Sequence, residues 1–420
     1  MKDFIQKYFK GDLIIWIIFL LLIAISAVEM YSASSILAFK GSDYNSPIWR
    51  HILFLGGGFC IAFIVHMIPY RLFPRAGALL LAFSLVLLGL TMIMGVSANE
   101  ATRWLQIAGI QFQPSELAKL SVIIVLAVVI GREQQEKRSP DEAYKTSMII
   151  LAVTCIMIFP ENFSTSFLLF LVGLLMMFYG RISLKKLGIT LGAVVGLCLS
   201  LYLVASLLPE QNPAEQNRTV VQYNSSDRQE KKRLHRLSTW KKRVDQHFSE
   251  NTKIDFENFQ ITDDNRQVTR AKIAIANSNG IGRGPGNSIE RDFLSEAYSD
   301  FIYAIIIEET GLFGAFIVML LYLILFFRVG VIANQSPSAF PALLVLGLAS
   351  MIVAQAFMNM AVAVGLIPVT GQPLPMISRG GTAIIATSIY FGIILSVSRY
   401  VKEETEKQEV PAEETKTDTV

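Results

Sequence analysis

Apolar positions in this chain come in long unbroken runs, and the polar positions are gathered into the stretches between them. Ten such runs can be read, at approximately 13–33, 50–69, 76–95, 115–131, 146–160, 163–180, 187–208, 301–327, 341–364 and 381–399. Most approach the roughly 17 to 25 residues that carry a helix across a bilayer core. Helices are the spanning element this pattern allows, because an open strand in lipid would leave its backbone N–H and C=O groups unpaired. The fifth and sixth runs are short and separated only by the turn at Pro160 to Phe163, which predicts a tight hairpin. The fold class expected is an all-α integral membrane protein of ten transmembrane helices, with one large extracytoplasmic loop between helices 7 and 8. The first run is too long for a signal peptide and is followed by too many others, so it reads as an uncleaved span.

Basic residues in the short loops set the orientation. Lys2, Lys7, Lys10, Arg71, Arg75, Arg132, Lys137, Arg138, Lys145, Arg181, Lys185 and Lys186 fall on one side, against Lys40, Arg50, Arg103 and Arg379 on the other. The first side is expected to be cytoplasmic, with both termini there. The long connection, 209–300, then lies outside. Its basic cluster from Arg228 to Arg243 does not overturn this, since long loops translocate largely regardless of charge. That cluster has two readings, a solvated amphipathic helix or a surface for anionic headgroups and pyrophosphate. Residues 1–401 form the membrane domain, and the acidic stretch 402–420, without aromatics, is expected to be a disordered cytoplasmic tail.

Composition agrees with a membrane solvent. The chain is 52% hydrophobic and 17% charged, below the roughly 25% charge of a soluble domain. The net charge of +3 decides nothing. Cys60, Cys155 and Cys198 sit inside apolar runs without paired spacing, and the four histidines are scattered, so no disulfide, zinc site or organic cofactor is indicated. Nothing points to nucleic acid.

The most informative polar stretch runs from Ile281 to Gly314. It opens as a glycine-rich loop, gathers Glu290, Arg291, Asp292 and Glu296, and places Asp300 where water meets the next apolar run. Asp300 suits a helix N-cap, and equally a general base partly withdrawn from water. Ionisable groups inside spans need a reason. Lys119 lies one turn into the fourth run with Glu116 three residues before it, so it either pairs with that glutamate or points into a cavity toward a ligand phosphate or Asp300. Glu308 and Glu309 fall roughly 12 to 14 Å along the helix from Asp300, and structural or gating roles come first for them. Asn162, Gln355 and Asn359 are expected to bond between helices. The alternating glycines Gly280, Gly282, Gly284 and Gly286 follow no strand, which rules out a dinucleotide fingerprint. Ile367 to Thr382 forms a second polar re-entry, placed to line a cleft with Asp300.

The stretch GRGPGNSIERDFLSEAYSDFIYAIIIEETGLFG, together with ATRWLQIAGIQFQPSELAKL from Ala101 and GLIPVTGQPLPMISRGG from Gly365, resembles the SEDS family, whose members include FtsW, RodA and SpoVE. The resemblance extends to about Val401, and GNS at Gly286 to Ser288 is closer to the FtsW branch. It implies a peptidoglycan glycosyltransferase polymerising lipid II at the outer face of the cytoplasmic membrane, at the division septum. It also implies a class B penicillin-binding protein transpeptidase as partner, alongside other division membrane proteins. By the resemblance Asp300 is the essential acidic residue, Arg103 and Lys119 are the family's basic residues, and Glu116 is the acidic residue of the QPSE motif. Glu296, Ser378 and Arg379 are further candidates for holding substrate beside Arg103, Glu116 and Lys119, and a divalent metal ion (Mg or Mn) is a candidate for the leaving pyrophosphate. Departures from the family pattern are Ser295 for proline, Tyr298 for histidine, Ser299 for threonine, Arg379 for tyrosine and Asn162 for aspartate. A lipid II flippase and a non-catalytic scaffold remain the rival readings.

Overall fold

A computed structural model describes residues 9–40, 46–94, 96–98, 101–107, 110–136, 139–207, 265–294 and 297–414. Among these residues ten long helices lie over the ten apolar runs: α1 (Leu13–Lys40), α2 (Ser46–Met67), α3 (Phe73–Met94), α4 (Pro114–Glu136), α5 (Pro140–Ile158), α6 (Phe163–Tyr179), α7 (Leu184–Leu207), α9 (Ile302–Asn334), α10 (Ala339–Ala363) and α11 (Gly381–Glu414). A shorter helix, α8 (Arg266–Asn277), precedes the glycine-rich loop. Eight of these helices are long and apolar enough to cross a membrane, and α6 is a shorter apolar helix. The polar first turns of α5, PDEAYKTS, set that element apart from the eight: they carry Asp141 and Glu142 behind a Ser139 cap. The basic cluster between Arg228 and Arg243 lies outside the described residues.

Local chemistry sets several of the ends. Asp12 accepts from the Ile14 N–H at 2.9 Å at the start of α1 and pairs with Arg328 of α9 at 2.6 Å. In the α5–α6 turn, Asn162 is the N-cap of α6, accepting from Thr165 N–H at 3.2 Å. One finding differs from the expectation of an all-helical chain. Between α3 and α4 the chain forms a small antiparallel sheet of β1 (Val96–Ala98), β2 (Ala101–Ile107) and β3 (Ile110–Phe112), in that order, with Leu105 opposite Phe112. Seven residues of β2 are too few to carry a helical period, and hydrophobicity in runs does not reveal so short a strand. At the other end α11 continues to Glu414, well past the last long apolar run. Extending a helix already nucleated in the bundle avoids the cost of starting one, and Lys402 to Gln408 are mostly good helix formers.

The bundle has inner and outer helices. The apolar windows of α4, α10 and α11 are 78%, 67% and 78% buried, whereas that of α7 is 6% buried. Ile123 and Leu126 of α4, Leu344 and Leu348 of α10 and Phe391 of α11 are among the fully enclosed side chains. The inner helices are also where the polar residues of the site are found.

Candidate active site

The site begins with a broken helix. At Gly311, φ 71° and ψ −171° interrupt α9 after its first turns. A break inside a membrane frees backbone groups that lipid cannot satisfy. Here the glycine-rich loop supplies the partners: Arg283 N–H and Gly284 N–H donate to the carbonyls of Glu308 and Glu309 at 2.9 and 2.8 Å, and Leu312 N–H donates to Gly280 C=O at 3.0 Å. The approach is possible only without side chains. A Cβ on Gly282 would lie 2.4 Å from Gly311 N, and one on Gly311 would lie 2.4 Å from the Ile281 carbonyl carbon. Both residues also have positive φ, 92° and 71°.

Glu308 and Glu309, both essentially without exposure, close this arrangement from the side-chain direction. The Glu308 carboxylate accepts from Ser288 Oγ at 2.5 Å, Ile289 N–H at 3.2 Å, Glu290 N–H at 3.3 Å and Asn277 Nδ2 at 3.4 Å. Glu309 accepts from Gly286 N–H at 2.9 Å and from the Ser32 hydroxyl of α1, with the Arg291 guanidinium 3.9 Å away. Arg291 also donates to Ser32 C=O at 2.6 Å and Gly286 C=O at 2.8 Å. The structural reading of the two glutamates is therefore specific: their charge is met mainly by backbone and hydroxyl donors of the loop, joined by Ser32 of α1, Asn277 of α8 and the Arg291 guanidinium. Arg270 of α8 joins this layer through Glu290 at 3.3 Å and lies 4.7 Å over the Phe293 ring.

Asp300 sits where this loop enters α9, in the turn before Phe301 and half-buried. Its carboxylate accepts from Ser299 Oγ at 2.9 Å, and its backbone carbonyl accepts from Asn359 Nδ2 of α10 at 2.9 Å. The N-cap of α9 is Phe301, with no side-chain cap, so the helix-cap role of Asp300 is not the one adopted. The same Asn359 amide donates to Gln372 C=O at 2.8 Å in the second re-entry. That re-entry, from Gly365 to Gly380, is sewn to the Asp300 turn: Ser378 Oγ donates to Ser299 C=O at 2.6 Å and accepts from Leu374 N–H at 2.7 Å, while Arg379 N–H donates to Tyr298 C=O at 2.7 Å.

Lys119 is wholly enclosed, donating to Glu116 Oε1 at 2.7 Å and to Gln355 Oε1 at 3.1 Å. Of its two sequence readings, the pair with Glu116 is the arrangement present. Gln355 passes the connection on, since its Nε2 donates to Pro373 C=O at 3.1 Å. A continuous set of hydrogen bonds thus runs from Glu116 and Lys119 through Gln355 to the second re-entry, and from there through Asn359 and Ser378 to the Asp300 turn. Beside it, burial holds the Tyr298 phenol up at about 12, with Asp292 adding to the effect.

The structure brings Asp300, Ser378 and the Arg379 backbone together directly, and Glu116 and Lys119 through the network. The backbone of Arg103 belongs to β2, its side chain lies outside the described residues, and Glu296 lies outside them altogether. Sequence reading missed two buried ionisable groups near the cleft. Glu29 of α1 is 4% exposed, and His51 of α2, 3% exposed, is 2.9 Å from Ser26 Oγ. The rule that ionisable residues inside spans need a reason would have found both. Among the described residues no three His, Cys, Asp or Glu side chains form a metal centre. Magnesium commonly takes one or two carboxylates plus substrate phosphates, and the Asp300 carboxylate fits such a mode.

These features define a multi-pass helical membrane protein in which a polar loop plugs a broken helix and presents a carboxylate at one end of the bundle. The chain belongs to the FtsW/RodA/SpoVE family of cell cycle proteins, whose model matches residues 12–403. It is similar to the probable peptidoglycan glycosyltransferase FtsW of Enterococcus hirae, at 29% identity over 420 residues, covering 95% of this chain and 96% of that one. The protein of the same name from Nitrosococcus halophilus is 31% identical over 373 residues, covering 87% and 86%. Among solved structures, a chain from work on polymerization and crosslinking by a peptidoglycan synthase complex matches with a TM-score of 0.70 at 21% identity, covering 93% of this chain and 98% of that chain. The rod shape determining protein RodA of Thermus thermophilus matches with a TM-score of 0.60 at 21% identity, covering 93% and 97%. At that identity the structural matches establish the shared fold.

Proposed function

We propose that this protein is a peptidoglycan glycosyltransferase that polymerises lipid II into β-1,4 glycan strands for septal wall synthesis, with Asp300 as general base. The observation that carries the assignment is the way Asp300 is held. Two separate elements, α10 and the second re-entry, fix its turn by hydrogen bonds, and the Ser299 hydroxyl of the turn itself donates to the carboxylate, which stays partly open. Residues clamped on several sides around one accessible carboxylate suit positioning of a reacting proton.

In the reaction, the C4 hydroxyl of one lipid-linked sugar attacks the anomeric carbon of another. The hydroxyl proton passes to the Asp300 carboxylate as the new C–O bond forms, and the bond to undecaprenyl pyrophosphate breaks with its electron pair. A direct displacement of this kind inverts the anomeric centre and gives a β-linked chain from an α-linked donor. Arg103 and Arg379 are proposed to meet the charge of the leaving pyrophosphate, with Glu296 and Ser378 on the substrate side. Lys119 and Glu116 act as positioning residues through Gln355. A divalent ion bound with the substrate would add Lewis-acid stabilisation of the pyrophosphate.

The topology that goes with this reading has all ten long helices crossing the membrane. Asp300 and the 209–300 connection face outward, and both termini lie in the cytoplasm. A class B penicillin-binding protein transpeptidase is the proposed partner, with other division proteins around it. The flippase reading is less well supported, because Lys119, Glu308 and Glu309 are tied into fixed hydrogen bonds instead of lining an open route.

The test is polymerisation of purified lipid II by the chain with its cognate transpeptidase, the product sized on a gel. Asp300→Asn should abolish polymer while the protein still inserts and binds its partner. Wild-type glycan lengths from that variant would refute the assignment.

A further inference from the structure

At the end of the bundle opposite Asp300, the last turns of α4 and α9, the first turns of α5 and α10 and the α6–α7 turn line an open-mouthed cavity of about 730 Å³, with Arg181 exposed at its edge. That volume falls in the ~300–1,000 Å³ range of small-molecule sites. One part of its wall is apolar, with Ile130, Ile182, Leu343 and Leu346, and Gln134 and Asn334 add uncharged polar groups. Two opposite charges also line it, Glu133 and Arg181. Glu133 Oε2 is buried with no hydrogen-bond partner, and among the described residues neither side chain has an ion-pair partner. A buried polar atom left unsatisfied calls for a ligand, water or ion.

The backbone around the cavity points the same way. Arg181 has φ 61°, a left-handed conformation at a helix end that normally goes to glycine. The glycine comes one residue earlier, at Gly180, where a Cβ would lie 2.2 Å from Ile130 Cγ2. Close packing claims the glycine, and the arginine bears the less favourable backbone at the cavity rim. Gly330 of α9 also lines the space, and nothing lies within 4 Å of where its Cβ would be. The C-terminal ends of α4, α6 and α9 meet here, which favours a cation, and α5 and α10 begin here, which favours an anion.

We propose that this cavity is a binding site for a zwitterionic aminophospholipid of the ethanolamine type. The ammonium goes to Glu133, the phosphate to Arg181, and the upper acyl chains lie along the apolar wall. The cavity lies at the ends of the candidate spans Pro114–Gln135, Ile302–Asn334 and Ala339–Ala363, the depth of lipid headgroups. In the orientation proposed above, that is the inner leaflet.

The test is native mass spectrometry of the delipidated full-length protein titrated with phosphatidylethanolamine or with phosphatidylglycerol, which has the phosphate but no amine. One phosphatidylethanolamine should be retained with about tenfold preference. Glu133→Gln should erase the preference, Arg181→Gln should weaken both lipids, and Gly330→Leu should block binding without lowering the melting temperature. Equal retention of the two lipids by wild type, or a preference that survives Glu133→Gln, would overturn the proposal. So would displacement by soluble phosphoethanolamine at lipid-like concentrations, which would show that the headgroup alone suffices. Binding is read without turnover, so its failure is separate from any failure of the glycosyltransferase assignment.

Discussion

Glu116 and Glu308 are both buried carboxylates on inner faces of the bundle, and they are stabilised in different ways. Glu116 is neutralised by Lys119, one helical turn away on α4, at 2.7 Å. Glu308 and its neighbour Glu309 are met mainly by backbone N–H groups and hydroxyls, most of them from the Gly286 to Glu290 stretch. The first arrangement is local to one turn of α4. The second exists only while the loop is seated in the break at Gly311, so loop and helix stand or fall together. Asp300 lies on the chain between the two, and its position depends on that seating.

Substitutions can break this comparison in a graded way. The largest effect is expected for Gly311→Ala, whose Cβ would meet the Ile281 backbone at 2.4 and 2.5 Å. Backbone cannot move aside, so a loss of ~4 kcal/mol or more is expected, visible as a collapsed melting temperature and no polymer. Next comes Lys119→Met, which leaves Glu116 buried without its counter-charge at a cost of ~3–5 kcal/mol. Adding Glu116→Gln should restore most of that stability, and a double variant no more stable than the single would contradict a local pair.

Glu308→Gln keeps the shape but turns an NH2 donor toward several donors, for ~1–3 kcal/mol. Its signature should be unseating of the loop, seen as faster proteolysis between Gly280 and Leu294 and a larger fall in polymerisation than in melting temperature. Tyr298→Phe is expected to be the smallest. The hydroxyl is buried without a hydrogen-bond partner, so at neutral pH stability should change by less than ~0.5 kcal/mol. The raised phenol pKa means that the folded state holds this proton more tightly than the unfolded chain. Stability contributed by the tyrosine is therefore lost as pH rises from about 10 to about 12, and the phenylalanine variant should show a shallower decline over that window.

Much of the architecture was legible because membrane helices announce themselves in composition. Ile123, Leu344 and Phe391 read as apolar in sequence and are buried in the bundle. Asp300 and the second re-entry were legible as polar punctuation at the ends of apolar runs. Glu29 escaped notice because a single charge hardly changes a run averaged over some twenty residues. The break at Gly311 was hidden too, since EETGLFG continues an apolar helical pattern on both sides and glycine alone does not distinguish a kink from close packing. The strand β2 was missed because hydropathy in runs is blind to an element of seven residues.

The order and length of the helices, the membrane as solvent and the polar stretches able to carry chemistry follow from the chain itself, because transfer of apolar side chains into lipid is a sum over residues and needs no knowledge of neighbours. Which polar groups meet is decided only by tertiary structure. That Glu308 holds Ser288, that Asn359 holds Asp300 and Gln372, and that Lys119 faces Gln355 depends on hydrogen bonds. These are short-ranged and directional, so they are specified by three-dimensional placement and not by spacing along the sequence.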